Sequence, residues 1–439
     1  MTNGTRKSAF NLQTCARANI LALEPYRCAR DDYKDDGTNI LLDANENAYG
    51  PGLALTSTGK LNSDGANGST ASVNIDLLGL NRYPDPHQIE LKQLLCNLRN
   101  TNTHTQTPLT PANLFVGVGS DEAIDALLRA FCRPGHDSIL TCPPTYGMYS
   151  VSAQVNDVAI TKVPLRTDAD FALDAPAVNK ALSGPDADKI KLAYICSPGN
   201  PTGALIRKED IEAVLAHPTW NGVVVVDEAY IDFAEDGASL AQLVTEYPNL
   251  VVMQTLSKAF GLAGIRLGAA FTSPEIARLL NSLKAPYNIS NPTSEIARAA
   301  LSEDNLAVMR TNRAKILEQR VRLLRELPKV PGIGKFLGGS DSNFLLVEML
   351  DRPDGKPSNE VALRVYEGLA ETKGVVVRFR GKELGCSGCL RITVGTEEEC
   401  SRLLESIRQV LDGIYSGASN GVGKKEEEVK EREASEVVA

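Results

Sequence analysis

Val223 to Val226 are four valines in succession, and the next two residues are Asp227 and Glu228. Four β-branched side chains in a row leave no polar face, so this run predicts a strand covered on both sides, as in a parallel sheet packed between helices. Leu114–Val118, Leu192–Cys196 and Leu250–Thr255 are runs of the same make. The first is followed by Ser120-Asp121-Glu122, a helix-start signal, and then by Ile124, Leu127, Leu128 and Phe131 at helical spacing. This alternation predicts an α/β chain with a mostly parallel sheet between helices. Ligands of open α/β sheets bind beyond the carboxyl ends of the strands, so the polar residues ending these runs are expected to meet in one crevice. After about residue 328 the pattern changes, and Ser342–Glu348, Gly374–Arg380 and Leu390–Val394 predict a smaller α+β unit.

Composition removes several alternatives. With 46 Lys and Arg against 55 Asp and Glu, a net charge of −9 argues against a nucleic-acid partner or a polybasic membrane surface. No uncharged apolar run approaches the roughly 18 residues of a spanning helix. Nine scattered cysteines, an odd number, fit reduced thiols and a cytoplasmic chain better than a disulfide framework. Cys386 and Cys389 form a C-x-x-C pair without two further ligands nearby, so they read as structural thiols and no metal site is expected. The four histidines are far apart and none sits in a hydrolase or zinc motif. The basic first thirty residues read as a mature amino-terminal segment rather than a targeting peptide. Residues 54–74, rich in Ser, Thr, Gly and Asn, read as an exposed insertion, and the charged stretch 416–439 as a disordered tail.

Four segments carry chemistry. Gly117-Val118-Gly119-Ser120-Asp121-Glu122 joins a strand to a helix start, where backbone N–H groups and the helix dipole suit a phosphate, although a plain capped helix has the same pattern. Ser197-Pro198-Gly199-Asn200-Pro201-Thr202-Gly203 is a stiff loop that holds Asn200 in one orientation at a strand end, or is simply a turn. Asp227, set behind four valines, needs a cation, either a protonated ring nitrogen or an arginine, and Tyr230 follows three residues later. Lys258 lies in Thr255-Leu256-Ser257-Lys258-Ala259-Phe260-Gly261, apolar surroundings that favour its neutral, nucleophilic amine, with Ser257 and Arg266 flanking it. Together these are the parts pyridoxal 5′-phosphate requires: a phosphate seat, an amide, a carboxylate for a pyridinium, a phenol and an amine.

The order of S-P-G-N-P-T-G, D-E-A-Y, T-L-S-K-A-F-G-L-A-G-I-R-L-G and G-C-L-R-I-T-V-G resembles the fold-type I pyridoxal-phosphate aminotransferases. With L-D-A-N-E-N-A-Y-G-P at 42–51 and L-N-R-Y-P-D-P at 80–86, the chain is similar, over most of residues 40–412, to the histidinol-phosphate aminotransferase family. The resemblance implies that Lys258 binds the cofactor aldehyde as an imine and that Asp227 pairs with the pyridinium nitrogen. Asn200 and Tyr230 would contact the phenolic oxygen. Ser120, Asp121, Ser257 and Arg266 would hold the phosphate, and Tyr146 would stack on the ring. It implies a homodimer with shared sites, in which Tyr83 reaches the neighbouring subunit's cofactor, and it assigns Asn47, Arg378 and Arg391 to the substrate. The implied architecture is a large domain, 81–327, and a small one made of 328–415 with the segment 1–80. The implied reaction is transamination of L-histidinol phosphate with 2-oxoglutarate, giving imidazole-acetol phosphate and glutamate. Two alternatives stay open: an aromatic or other amino-acid aminotransferase of the same subfamily, and a decarboxylase of phosphorylated amino acids on the same fold.

Overall fold

The computed structural model describes residues 18–22, 29–33, 37–55 and 78–417. The start of the basic segment, nearly all of the 54–74 insertion and the tail beyond 417 lie outside the described residues. In chain order the strands are β1 (Ile40–Leu41), β2 (Leu114–Val118), β3 (Ser138–Thr141), β4 (Ala159–Lys162), β5 (Ile190–Cys196), β6 (Val223–Asp227) and β7 (Leu250–Thr255). They continue as β8 (Leu267–Thr272), β9 (Ile333–Leu337), β10 (Phe344–Met349), β11 (Val375–Val376), β12 (Arg378–Phe379) and β13 (Cys389–Thr393).

Seven of them form one sheet in the order β2-β8-β7-β6-β5-β3-β4, parallel throughout except for β8, which runs against both of its neighbours. Every residue of β6, β7 and β8 is buried. The valine run shows why. Val223 and Val225 enter a core with Ile124, Leu127 and Tyr149. Val224 and Val226 enter the opposite core with Leu91, Leu95 and Ile211. Successive strand residues alternate faces, so a strand with helices on both sides needs an apolar residue at each position, each contributing about 1.5–3 kcal/mol.

A second sheet, β12-β13-β10-β9, is wholly antiparallel. β1 pairs with β11 in parallel, and the Thr393 N–H donates to the Leu42 carbonyl. The residues just after β1 are thereby drawn between the two sheets. They face the carboxyl ends of β5, β6 and β7.

Candidate active site

Asp227 ends β6 and is 2 % exposed. Its carboxylate accepts the Tyr149 hydroxyl at 2.7 Å and the Ala229 N–H at 3.2 Å. Burial pushes its pKa up to about 6, against the pull of those two donors and of Lys258, while the charge of Asp121 pushes it further up. Among the described residues no Lys or Arg lies within ion-pair distance of it. A buried carboxylate so placed calls for a cation from outside the chain.

Lys258 follows β7 in a loop tightened by the Thr255 hydroxyl, which donates to Ser257 Oγ at 2.9 Å and accepts the Ser257 N–H at 3.1 Å. Lys258 Nζ donates to the Ala44 carbonyl at 3.0 Å and lies 5.8 Å from the centre of the Tyr230 ring. Burial first, and then the positive charge of Arg391, bring its pKa down to about 8. A neutral amine is therefore within reach near neutral pH.

At the start of the helix Gly119–Phe131, Gly119 has φ +71° and a Cβ there would stand 2.7 Å from Arg266 Nη2. Arg266 itself has φ +51°, faces Asp121 at 3.5 Å and accepts the Gly119 N–H through its carbonyl at 3.1 Å. Gly268 lets β8 pass so close that its Cβ would fall 2.3 Å from the Ser120 nitrogen. The helix start, its N–H groups and a half-exposed guanidinium thus form one cationic seat. Tyr146 flanks it, its hydroxyl donating to Asp121 Oδ1 at 3.3 Å.

Arg391, on β13, is 4 % exposed; its Nη1 donates to Asn200 Oδ1 at 2.7 Å and its Nη2 to the Asp43 carbonyl. Holding Oδ1 this way turns the Asn200 amide nitrogen in the other direction. Tyr230 is buried with its ring edge-on to Phe344 at 5.1 Å. Arg378 forms an ion pair with Asp32. Asn47 donates to the Ala259 carbonyl at 2.9 Å and accepts the Tyr49 N–H at 3.0 Å, so its amide pins its own loop beside Lys258. Tyr83 does not join these groups within the chain. It is 79 % exposed and stacks on Tyr287 with ring centres 4.6 Å apart.

A model of the aminotransferase class I and II family matches residues 38–407. The histidinol-phosphate aminotransferase of Schizosaccharomyces pombe is 53 % identical over 408 residues, 93 % of this chain and 99 % of that protein. The one from Saccharomyces cerevisiae is 48 % identical over 410 residues, 92 % of this chain and 98 % of its own. The chain belongs to the histidinol-phosphate aminotransferase family. Among solved structures, the histidinol-phosphate aminotransferase of Sinorhizobium meliloti, in complex with pyridoxal-5′-phosphate, superposes with a TM-score of 0.73 at 22 % identity over 93 % of this chain and 99 % of that one. Aspartate aminotransferase of Thermus thermophilus with maleate gives 0.72 at 21 % identity, over 90 % and 99 %. At that identity these likenesses show the fold, a fold-type I aminotransferase with a seven-stranded sheet and a smaller antiparallel one.

The crevice of this family member fits pyridoxal 5′-phosphate on its own chemistry. A carboxylate without a cation suits a protonated ring nitrogen, a cationic seat suits a phosphate, and an amine held near neutrality suits an aldehyde. Tyr149 and Asn45 were not marked by the sequence patterns, yet both touch expected site residues: Tyr149 holds Asp227, and Asn45 donates to the Tyr230 hydroxyl at 3.0 Å. The only hint was their place inside P-P-T-Y-G-M-Y and N-E-N.

Proposed function

We propose that this chain is the histidinol-phosphate transaminase of histidine biosynthesis, converting L-histidinol phosphate and 2-oxoglutarate to imidazole-acetol phosphate and L-glutamate with pyridoxal 5′-phosphate. The observation that carries the reading is the buried pair Arg391–Asn200, close enough to Lys258 for the Arg391 charge to lower its pKa, a guanidinium suited to grip either a phosphate or a carboxylate. Both substrates need that grip.

When bound, the cofactor supplies an aldehyde for the substrate amine and a ring that accepts the electron pair left on the amine-bearing carbon. Asp227 would keep a proton on the ring nitrogen. Asn200 and Tyr230 would hold the phenolic oxygen, Tyr146 would cover the ring, and the N–H groups of Ser120 and Asp121 with Ser257 and Arg266 would hold the phosphate. Lys258 Nζ, close to its neutral form, accepts the proton leaving the amine-bearing carbon. Arg391 and Arg378 take the anionic end of the substrate, and Asn47 keeps the closing segment in place.

The reading extends to a homodimer in which Tyr83 serves the partner's site, supported by the exposed, stacked pair Tyr83 and Tyr287. It also extends to a large domain over 81–327 and a small one combining the amino-terminal segment with 328–415, supported by the pairing of β1 with β11. Seven free, buried cysteines among the described residues support a reducing, cytoplasmic setting. The deciding assay offers histidinol phosphate beside aromatic amino acids and a phosphorylated amino acid, with 2-oxoglutarate, and measures glutamate and carbon dioxide. Preference for histidinol phosphate is expected. Preference for an aromatic amino acid would make the chain an aromatic aminotransferase, and carbon dioxide release without glutamate would make it a decarboxylase.

A further inference from the structure

Asn45 lies between the two sheets with φ +55°, a left-handed conformation that asparagine tolerates better than most residues, and it is 1 % exposed. Its backbone N–H donates to Thr393 Oγ1 at 3.1 Å, and the same hydroxyl donates to Asn45 Oδ1 at 2.9 Å. Thr393 Oγ1 accepts the N–H through one lone pair and turns its single proton to Asn45 Oδ1, which sets Oδ1 on that side. Nδ2 must then face Tyr230, where it donates to the phenol oxygen at 3.0 Å. The backbone around it is held just as tightly. Asn343 donates to the carbonyls of Asn45 and Glu46, Lys258 to that of Ala44 and Arg391 to that of Asp43.

We propose that Asn45 is a positioning residue that, oriented by Thr393, makes the Tyr230 oxygen an acceptor and so directs the Tyr230 proton into the crevice. This rests on the proposed pyridoxal-phosphate chemistry, in which that proton is donated to the cofactor's phenolic oxygen. A phenol has one proton. If its oxygen receives the Asn45 amide, the proton is not turned back toward Asn45. The polar chain Thr393–Asn45–Tyr230 also joins β13 to the loop after β6, so the donor is set by the meeting of the two sheets. Burial lifts the Tyr230 pKa to about 12, with Arg391 and the Asn45 bond pulling it down, so the group stays a proton donor at working pH.

The test is the pH midpoint of the visible absorbance of the cofactor-loaded protein, read together with thermal stability. A hydrogen bond donated to the cofactor's phenolic oxygen favours its anionic form, so losing that bond raises the midpoint. Tyr230→Phe and Asn45→Ala should each raise it by roughly half to one pH unit, the size of one neutral hydrogen bond. Thr393→Val, nearly isosteric and the variant to rely on if Asn45→Ala folds poorly, should raise it by less. Added to Tyr230→Phe, Asn45→Ala should cause no further shift. A midpoint unmoved in Asn45→Ala and Thr393→Val overturns the proposal, and so does a full Asn45→Ala shift persisting on Tyr230→Phe. A wild-type chain that takes up no cofactor would instead defeat the proposed function itself.

Discussion

Asp227 and Glu228 are neighbours in the chain, and each is 2 % exposed. Glu228 accepts the Ser239 hydroxyl at 2.6 Å, the Leu240 N–H at 2.6 Å and the Gln254 amide at 2.7 Å. Behind Gln254 stands Arg99, which donates to it at 2.7 Å and grips Asp232 through both terminal nitrogens at 2.8 and 2.9 Å. Asp227 has one hydroxyl and one N–H, and the cation in its surroundings is Lys258, whose own charge is disfavoured by burial. Glu228 is closed into a network that ties β6 to β7. Asp227 faces the crevice with part of its hydrogen-bonding capacity and all of its need for a counter-charge in reserve. Buried charges satisfied by the chain serve the fold, and those left to a ligand serve the chemistry.

Removing the crevice charges should therefore cost activity and add stability. Lys258→Ala is expected to give the largest loss, turnover falling by more than the roughly 10²–10⁴-fold owed to a general base alone. Borohydride treatment should attach a pyridoxyl group to the wild type and not to the variant. The folded pKa of Lys258, about 8, lies below its unfolded value of 10.5. The unfolded chain then binds more protons between those values, so this lysine's contribution rises with pH across that window and is fully unfavourable below it. The cofactor-free variant should accordingly melt higher than the wild type at pH 7. A lower melting point would place the lysine in a stabilising role and dissolve the contrast with Glu228.

Asp227→Asn comes next, with a rate loss of about 10²–10³-fold, the usual consequence of removing one electrostatic stabiliser. The carboxyl's folded pKa, about 6, stands above its unfolded 3.8, so the folded state binds more protons between them and stability falls as pH rises through that interval. The asparagine variant without cofactor should be more stable at pH 7 by an amount of the order of 3 kcal/mol, and the gain should vanish below about pH 4. Denaturant melts at several pH values check both the sign and the window. A loss of stability at pH 7 would mean that the chain itself supplies the counter-charge.

Much of this crevice is legible in the sequence because it is local. The valine run dictates a doubly covered strand, and the polar residues that end β5, β6 and β7 stand where an open sheet presents its ligand. What pattern reading misses is set by long-range closure. Tyr149 meets Asp227 across 78 residues, Asn45 meets Tyr230 across 185 and Arg391 meets Asn200 across 191. No spacing rule spans such distances. The antiparallel course of β8 is hidden for a related reason: Gly268 answers to the close approach of the helix start at Ser120, not to strand direction. Asn47 combines the two. Its motif marks it for the substrate, and in the fold its side chain bridges one local bond, from the Tyr49 N–H, and one contact across 212 residues, to the Ala259 carbonyl beside Lys258.

On the network side, Glu228→Gln should reverse the pattern. All three partners of the carboxylate are donors, so an amide NH₂ among them leaves at least one buried group unpaired, at a cost of about 1–3 kcal/mol. The rate of the folded, loaded enzyme should stay within a few-fold of wild type. A rate loss rivalling that of Asp227→Asn, with stability intact, would show that the two carboxylates are not divided between fold and chemistry.

The smallest effects belong to the glycines of the phosphate seat, and they test how finely the crevice side is shaped. At Gly119 an added Cβ meets Arg266 Nη2 at 2.7 Å, and φ +71° carries a left-handed penalty of about 1–2 kcal/mol for any other residue. Gly119→Ala should push the guanidinium aside and weaken cofactor binding by roughly tenfold, the loss of about one charge-assisted hydrogen bond. Gly264, two residues before Arg266, has nothing within 4 Å of its would-be Cβ and no positive φ. Gly264→Ala should leave cofactor affinity unchanged. Equilibrium titration of the two variants with pyridoxal phosphate separates the cases, because a seat formed by the arginine's charge alone, without the close approach at Gly119, would tolerate both substitutions equally.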